Sequence, residues 1–203
     1  MTSKSARYGK GFEYEIRDIL RESTGIESFD RVPASGSMFG GKNAARAATS
    51  RDDAVDILTA DIICPEGWRW VIECKNHEDV PVHQLYFGEE CKTVDEFLGQ
   101  ICDDAQTSGK EPFLVFKIRR KPYSFKKKFI DMLKKAKIVV PKINSITTGI
   151  LVAELAENCN EIKENNHIQY TRELEDGDFQ VWRFFDFEIW LKFVKIRQFI
   201  LTK

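Results

Sequence analysis

The chain lacks the features that mark membrane-spanning and secreted proteins. No run of about 18 apolar residues occurs, so a membrane-spanning helix is not expected. The N-terminal sequence MTSKSARYGKGFEYEI carries charges throughout and no apolar segment, so secretion is not expected either. These absences predict a cytoplasmic protein without a membrane partner.

Zinc-binding motifs are also missing. The five cysteines are an odd number with no C-x-x-C pair, which favours reduced thiols in a cytoplasm. The three histidines are few and scattered, so a zinc site is not expected. With 203 residues, 42% of them hydrophobic, the chain can form one large domain or one domain with an appendage. The net charge of −1 gives no sign of nucleic-acid binding by itself, so the distribution of charge has to be considered.

The most informative stretch is 61–75, which is predicted to form two strands joined by a tight turn. Side chains alternate between the two faces of a strand, so Glu73 and Lys75 should project from the same face, about 6–7 Å apart. The apolar residues between them and before them would face the core. A carboxylate and an amine in this arrangement are common in charged chains. The pair therefore indicates a functional site only in combination with the other motifs of the chain.

The turn length decides where Asp61 points. With a three-residue loop at 65–67, Asp61 lies opposite Val71 and diagonal to Glu73, and the two carboxylates are about 5–7 Å apart. Carboxylates at that distance can bind one Mg²⁺. A two-residue turn would reverse the face of Asp61. Asp56 has the opposite parity and is expected to face away.

Other elements follow from hydrophobic periodicity and turn signals. We predict helices at 10–22, 93–108 and 187–200, strands at 113–118, 148–153 and 179–185, and within 28–37 a short strand that ends in a Ser/Gly turn. Thr93 and Glu96 match a capping box, and Asp186 is expected to cap the last helix. On the first helix, Glu15 lies at the edge of the apolar stripe and is favoured over Glu13 as a functional carboxylate.

Basic residues are concentrated in two segments. Between 117 and 137 there are ten lysines and arginines against one aspartate, with aromatic residues interleaved. This balance favours contact with a nucleic-acid backbone over a plain solvated face. The Gly- and Ala-rich segment 38–55 carries further basic residues and could cover a phosphate backbone.

Together these motifs resemble the PD-(D/E)xK nucleases, most closely the archaeal-type Holliday-junction resolvases and related phage nucleases. The resemblance runs from Lys10 to about Lys117. It rests on Lys10-Gly11 followed by Glu15, Arg31-Val32-Pro33-Ala34-Ser35-Gly36-Ser37, Asp61-Ile62-Ile63, Glu73-Cys74-Lys75, and Gln100 before the apolar strand. Three departures are clear: Ala60 replaces a proline, the interval from Ser37 to Asp61 is long, and residues 118–203 have no counterpart.

The resemblance implies an α/β fold with a restriction-endonuclease-like core, in which a central mixed β-sheet is flanked by helices, and a C-terminal α+β extension. The expected domains are a nuclease core at 1–120 and an extension at 121–203 packed on it. The implied function is a metal-dependent DNA endonuclease, first a resolvase of Holliday junctions or other branched DNA acting as a homodimer. The alternatives are a phage or restriction-type endonuclease acting on duplex, flap or single-stranded DNA, and an inactive DNA-binding module.

The resemblance also implies roles for individual residues. Mg²⁺ or Mn²⁺ would be held by Glu15, Asp61, Glu73 and the backbone carbonyl of Cys74. Lys75 would position the attacking water or the phosphate, Ser35 and Ser37 would contact the DNA strand, and Gln100 belongs to the same catalytic set. Contacts to DNA phosphates are expected from Arg31, Lys42, Arg46, Arg51, Lys117, Arg119, Arg120 and Lys121.

Overall fold

A five-stranded mixed sheet with helices on both faces forms the centre of the molecule. The computed structural model describes residues 4–33, 58–78, 80–119, 135, 150–159 and 167–197. Its helices are α1 (Lys4–Thr24), α2 (Val82–Phe87), α3 (Lys92–Ser108) and α4 (Phe187–Arg197), with a 3-10 turn at Ala156–Cys159. Its strands are β1 (Asp30–Arg31), β2 (Ile62–Ile63), β3 (Trp70–His77), β4 (Glu111–Ile118), β5 (Ile150–Leu155), β6 (His167–Glu173) and β7 (Phe179–Asp186).

The strand order of the sheet is β3-β4-β5-β7-β6. Strands β3 and β4 are parallel, because α3 connects them across one face, and the remaining neighbours are antiparallel. Strands β1 and β2 form a separate antiparallel pair beside β3. A mixed sheet flanked by helices is the fold class that the sequence predicts, and the prediction is confirmed.

Helix α1 covers one face of the sheet because its apolar residues recur at helical spacing. Phe12, Ile16 and Leu20 are fully buried and belong to a core cluster with Trp70 of β3 and Trp190 of α4. The helix ends at Gly25, whose φ of 76° suits glycine and whose N–H donates to the carbonyl of Arg21 at 2.8 Å. The predicted helix is therefore present and begins earlier, at Lys4.

Helix α3 covers the opposite face. Its buried residues Val94, Leu98 and Ile101 pack in a second cluster with Val71 and Leu114 of the sheet. Strand β4 contributes alternate residues to both clusters, which is why its sequence is apolar without interruption. Its two neighbours, β3 and β5, confirm the predicted interior position of this strand.

Two predictions at element ends have different outcomes. The capping box is wrong, because α3 begins at Lys92 with Cys91 as its N-cap, and Thr93 lies inside the first turn. The Asp186 cap is confirmed, because its Oδ1 accepts a hydrogen bond from the N–H of Glu188 at 2.9 Å. Residues 198–200 of the predicted last helix lie outside the described part of the chain.

Strands of the predicted C-terminal extension belong to the same sheet as those of the predicted core. Strand β5 pairs with β4 along five residue pairs, from Phe113 opposite Glu154 to Lys117 opposite Ile150. Strand β6 was not predicted, because only Ile168 and Tyr170 of its seven residues are buried. The division at residue 120 stays a prediction. In the described segments, no helix combines the length and apolarity that crossing a membrane requires.

Candidate active site

The turn between Asp61 and strand β3 is shorter than predicted. The N–H of Trp68 donates to the carbonyl of Pro65 at 3.0 Å, which closes a turn around Glu66 and Gly67. Gly67 has φ 71°, a left-handed conformation that allows a turn of this length. The predicted three-residue loop is therefore wrong. So is the pairing of Asp61 with Val71, since the N–H of Asp61 donates to the carbonyl of Ile72 at 3.1 Å.

The Asp61 carboxylate nevertheless lies beside the middle of β3, at Cys74. Ala60 has φ 63°, a left-handed conformation that is rare for residues other than glycine, and it redirects the chain before Asp61. The Asp61 side chain is buried, and its Oδ2 accepts a hydrogen bond from the N–H of Cys74 at 2.9 Å. Proline, with φ near −65°, could not adopt the conformation of Ala60. The departure from the expected Pro-Asp motif thus has a physical reason.

Glu73, Lys75 and Gln100 form a closed set of contacts on the α3 face of the sheet. The Nζ of Lys75 contacts Oε1 of Glu73 and donates to Oε1 of Gln100 at 2.7 Å. The Nε2 of Gln100 donates to the same Oε1 of Glu73 at 2.7 Å. Glu73 is buried and Lys75 is partly exposed. The structure therefore brings together a carboxylate, an ammonium group and an amide that come from β3 and α3.

This site holds more negative than positive charge. Burial raises the pKa of Glu73 well above its ordinary value, the Asp61 carboxylate raises it further, and Lys75 opposes both effects. Asp104 is buried on α3, one turn after Gln100, and burial followed by the charge of Asp61 raises its pKa to about 6. Sequence reasoning missed Asp104, although its i, i+4 spacing from Gln100 places both residues on one helix face.

The donor set fits a divalent cation. Asp61 and Glu73 offer carboxylate oxygens, and their mutual repulsion would be relieved by a bound positive ion. Oxygen ligands of this kind are preferred by Mg²⁺ and Mn²⁺ over zinc. In the part of the chain that the structure describes, no three or more His, Cys, Asp or Glu side chains are grouped to hold a metal ion. The described residues therefore offer two carboxylates, those of Asp61 and Glu73, for such an ion.

Glu15 does not join Asp61 and Glu73. Its two carboxylate oxygens each accept a hydrogen bond from Nζ of Lys117 at 2.7 Å. Lys117 lies on the α1 face of β4, whereas Glu73 lies on the α3 face of β3. The predicted convergence of three carboxylates is therefore not what the structure contains.

The other first-helix carboxylate, Glu13, is close enough to Cys74, which Asp61 contacts, for its charge to act on the Cys74 thiol. It is buried and contacts Nε of Arg31, one of the predicted DNA-binding residues. Its charge is among those that raise the pKa of the Cys74 thiol, after burial, Asp61 and Glu73. The apolar stripe of α1 has two edges, and the sequence does not indicate which edge faces the site.

The remaining predicted residues divide into those that the structure describes and those that it does not. Arg119 lies with its guanidinium carbon 4.7 Å from the ring centroid of Tyr8. Outside the described residues are Ser35, Ser37, Lys42, Arg46, Arg51, Asp56, Arg120 and Lys121, together with most of the basic segment 117–137. Their predicted roles stay predictions.

Comparisons with known proteins agree with the nuclease resemblance. A family model described as "Phage putative PDDEXK endonuclease" matches residues 4–198. Protein D14 of Escherichia phage T5 is 30% identical over 121 residues, which cover 58% of this chain and 66% of that protein. The match thus spans just under two thirds of the length of D14. No solved structure is significantly similar to this chain.

Proposed function

The chain belongs to the phage putative PDDEXK endonuclease family, and on this premise we propose that it is a divalent-metal-dependent DNA endonuclease. It hydrolyses phosphodiester bonds in duplex, flap or single-stranded DNA during phage or restriction-type DNA processing. The observation that carries the proposal is the contact set of Glu73, Lys75 and Gln100 beside the buried Asp61 carboxylate.

In this proposal Asp61, Glu73 and the backbone carbonyl of Cys74 hold Mg²⁺ or Mn²⁺. When bound, the ion supplies Lewis acidity at the scissile phosphate. The hydrogen bond from the Cys74 N–H fixes the Asp61 carboxylate before the metal binds. Metal binding therefore costs little conformational entropy at this side chain. The raised pKa of Glu73 means that ion binding competes with a proton, so metal affinity should fall as the pH is lowered.

Lys75 is the proposed electrophilic group. Its ammonium is held by Glu73 and by the neutral amide oxygen of Gln100, and its partly exposed position leaves it accessible to DNA. It donates a hydrogen bond to the attacking water or to a phosphate oxygen as negative charge develops there. Gln100 positions both neighbours, because its amide donates to Glu73 and accepts from Lys75.

Charged residues around the site would bind the DNA backbone. Arg31, Lys117 and Arg119 are the described members of this set. The proposed set is completed by Lys42, Arg46, Arg51, Arg120 and Lys121, with Ser35 and Ser37 contacting the cleaved strand. Glu15 could act as a metal ligand only by releasing Lys117, so its proposed role here is to orient that lysine.

Resolution of Holliday junctions is the narrower function that the resemblance to archaeal resolvases suggested. It requires two active sites acting together, and therefore a homodimer. The match to a phage endonuclease family supports the broader assignment better. A four-way junction is therefore one of the DNA substrates compared in the test.

The test compares cleavage of a linear duplex, a flap, a single strand and a four-way junction of matched sequence, with Mg²⁺, Mn²⁺ or Ca²⁺. We expect Mg²⁺- or Mn²⁺-dependent cutting of the linear or flapped substrates by the wild type and by Asp103→Asn, an exposed neighbour of the site. The Glu73→Gln variant should not cut. Cleavage of the junction alone, by a dimer in light scattering, would replace this proposal with a resolvase, and DNA binding without any cleavage would identify an inactive module.

A further inference from the structure

A cavity lies beside the catalytic contact set, on the other face of the sheet. Its volume is about 510 Å³, within the range of small-molecule sites. The lining residues are Tyr8, Gly11, Phe12, Glu15, Asn76, Lys117 and Arg119. They come from α1 and from the C-terminal ends of the parallel strands β3 and β4. The cavity is therefore built from three elements, one of which, β3, also carries Glu73 and Lys75 of the candidate active site.

The chemistry of the lining suits a nucleotide. The ring of Tyr8 is 47% exposed, and the guanidinium of Arg119 lies 4.7 Å from its centroid. Aromatic rings with cationic neighbours are the usual platforms for the bases of single-stranded nucleic acid. The lining contains two cations, Lys117 and Arg119, and one carboxylate, Glu15. Its net charge is therefore positive, which favours binding of a phosphate.

Asn76 adds a polar group to the cavity. Its Nδ2 donates to the carbonyl of Tyr8 at 3.0 Å, which ties the end of β3 to α1. Its Oδ1 is buried and accepts no hydrogen bond from the residues that the structure describes. A buried acceptor of this kind needs a partner, which a ligand or water can supply.

The cavity is adjacent to the site along the chain. Asn76 directly follows Lys75, and alternation along β3 places their side chains on opposite faces. A DNA strand that passes over the end of β3 would meet Lys75 on one side and the cavity on the other.

We propose that this cavity binds one unpaired nucleotide of the DNA strand, next to the phosphodiester that Lys75 contacts. Its base stacks on Tyr8 and its phosphate lies between Lys117 and Arg119. The inference rests on the proposed nuclease function, and it adds a preference for DNA with an unpaired nucleotide near the cut.

The test measures binding of the full-length chain carrying Glu73→Gln, so that DNA is not cut. The DNA is a duplex with one unpaired 2-aminopurine, compared with the fully paired duplex. We expect Tyr8→Ala to weaken binding of the unpaired form by about fivefold to a hundredfold, the value of one stacked base. The change in 2-aminopurine fluorescence on binding should disappear, and Tyr8→Phe should retain it.

Tyr14→Ala is the matched control. Tyr14 is on the same helix, is 44% exposed and does not line the cavity. The guanidinium carbons of Arg17 and Arg31 lie 4.7 and 5.8 Å from its ring centroid, so any effect of Tyr14→Ala through Arg31 should be the same for paired and unpaired DNA. A second variant, Gly11→Leu, fills the cavity while leaving Tyr8 in place, since a Cβ at Gly11 meets no atom within 4 Å. It should weaken binding of the unpaired form as Tyr8→Ala does.

The possible failures can be told apart. If the protein binds DNA tightly and none of Tyr8→Ala, Gly11→Leu and Tyr14→Ala weakens that binding, the cavity assignment is wrong. The proposed nuclease function is not affected by that result. Absence of DNA binding by the parent protein would overturn both. Binding of free deoxyadenosine monophosphate through Tyr8, without preference for the unpaired strand, would identify a free nucleotide as the occupant and overturn the strand assignment.

Discussion

Replacing Asp104 by asparagine tests whether burial and the charge of Asp61 make an ionised carboxylate unfavourable at this position in the metal-free protein. Asp104 is buried on α3, and burial and the nearby charge of Asp61 raise its pKa from 3.8 to about 6. Above pH 6 the folded protein must therefore hold an ionised carboxylate that is better solvated in the unfolded chain. Asparagine has nearly the same shape and carries no charge, so the variant should be more stable at neutral and alkaline pH.

The magnitude follows from the change in pKa. At about 1.36 kcal/mol per pKa unit, a rise from 3.8 to about 6 corresponds to about 3 kcal/mol. Solvent screening at the partly open site lowers the expected gain to about 1–2 kcal/mol. The size of the expected gain depends on pH. Below pH 3.8 Asp104 is protonated in the folded and in the unfolded protein, so it does not lower the free energy of unfolding. As the pH rises from 3.8 to 6, the wild type loses stability because the carboxyl ionises more readily in the unfolded chain.

The measurement is urea unfolding in the presence of a chelator, at pH 4.5 and at pH 8. We expect Asp104→Asn to exceed the wild type by about 1–2 kcal/mol at pH 8 and by clearly less at pH 4.5. Asp103→Asn, at the exposed neighbouring position, should change stability little at either pH. The reasoning is refuted if Asp104→Asn is no more stable than the wild type at pH 8, or if its advantage does not depend on pH.

Three further predictions concern the same site. Asp61→Asn and Glu73→Gln should each abolish DNA cleavage while leaving DNA affinity nearly unchanged in a gel-shift assay, and full activity in either variant would contradict the site assignment. Gln100→Leu removes two hydrogen bonds of 2.7 Å and should lower kcat about 10- to 100-fold with little change in DNA affinity; an unchanged kcat would show that Gln100 has no positioning role. Ala60→Pro should lower the free energy of unfolding by more than about 1 kcal/mol, because proline cannot adopt φ 63°, whereas Ala60→Gly should be nearly neutral in thermal unfolding.

The periodicity of the sequence was sufficient to predict the elements that build the core. The apolar residues of α1 recur at helical spacing, and the apolar run of β4 is short and unbroken, which favours a buried strand. Strand alternation also predicted that Glu73 and Lys75 share a face, and they are in contact. These features depend on residues that are close in sequence.

Features that depend on tertiary structure were not predictable in the same way. The turn before β3 was misjudged because its length depends on the left-handed conformation of Gly67. Asp104 was missed because the contact of its helix with β3 decides its environment. Glu13 and Glu15 differ only in which edge of α1 faces the site, and that depends on how the helix lies on the sheet.

The pairing of β4 with β5 has a practical consequence for anyone who wishes to shorten this protein. A fragment that ends at residue 120 would remove the partner of β4 and leave a row of open backbone donors and acceptors along an apolar strand. The fragment would also lack Trp190, which packs against Phe113 with 4.4 Å between the ring centroids. Such a fragment is expected to aggregate, so a shortened version of the protein has to retain the chain through α4.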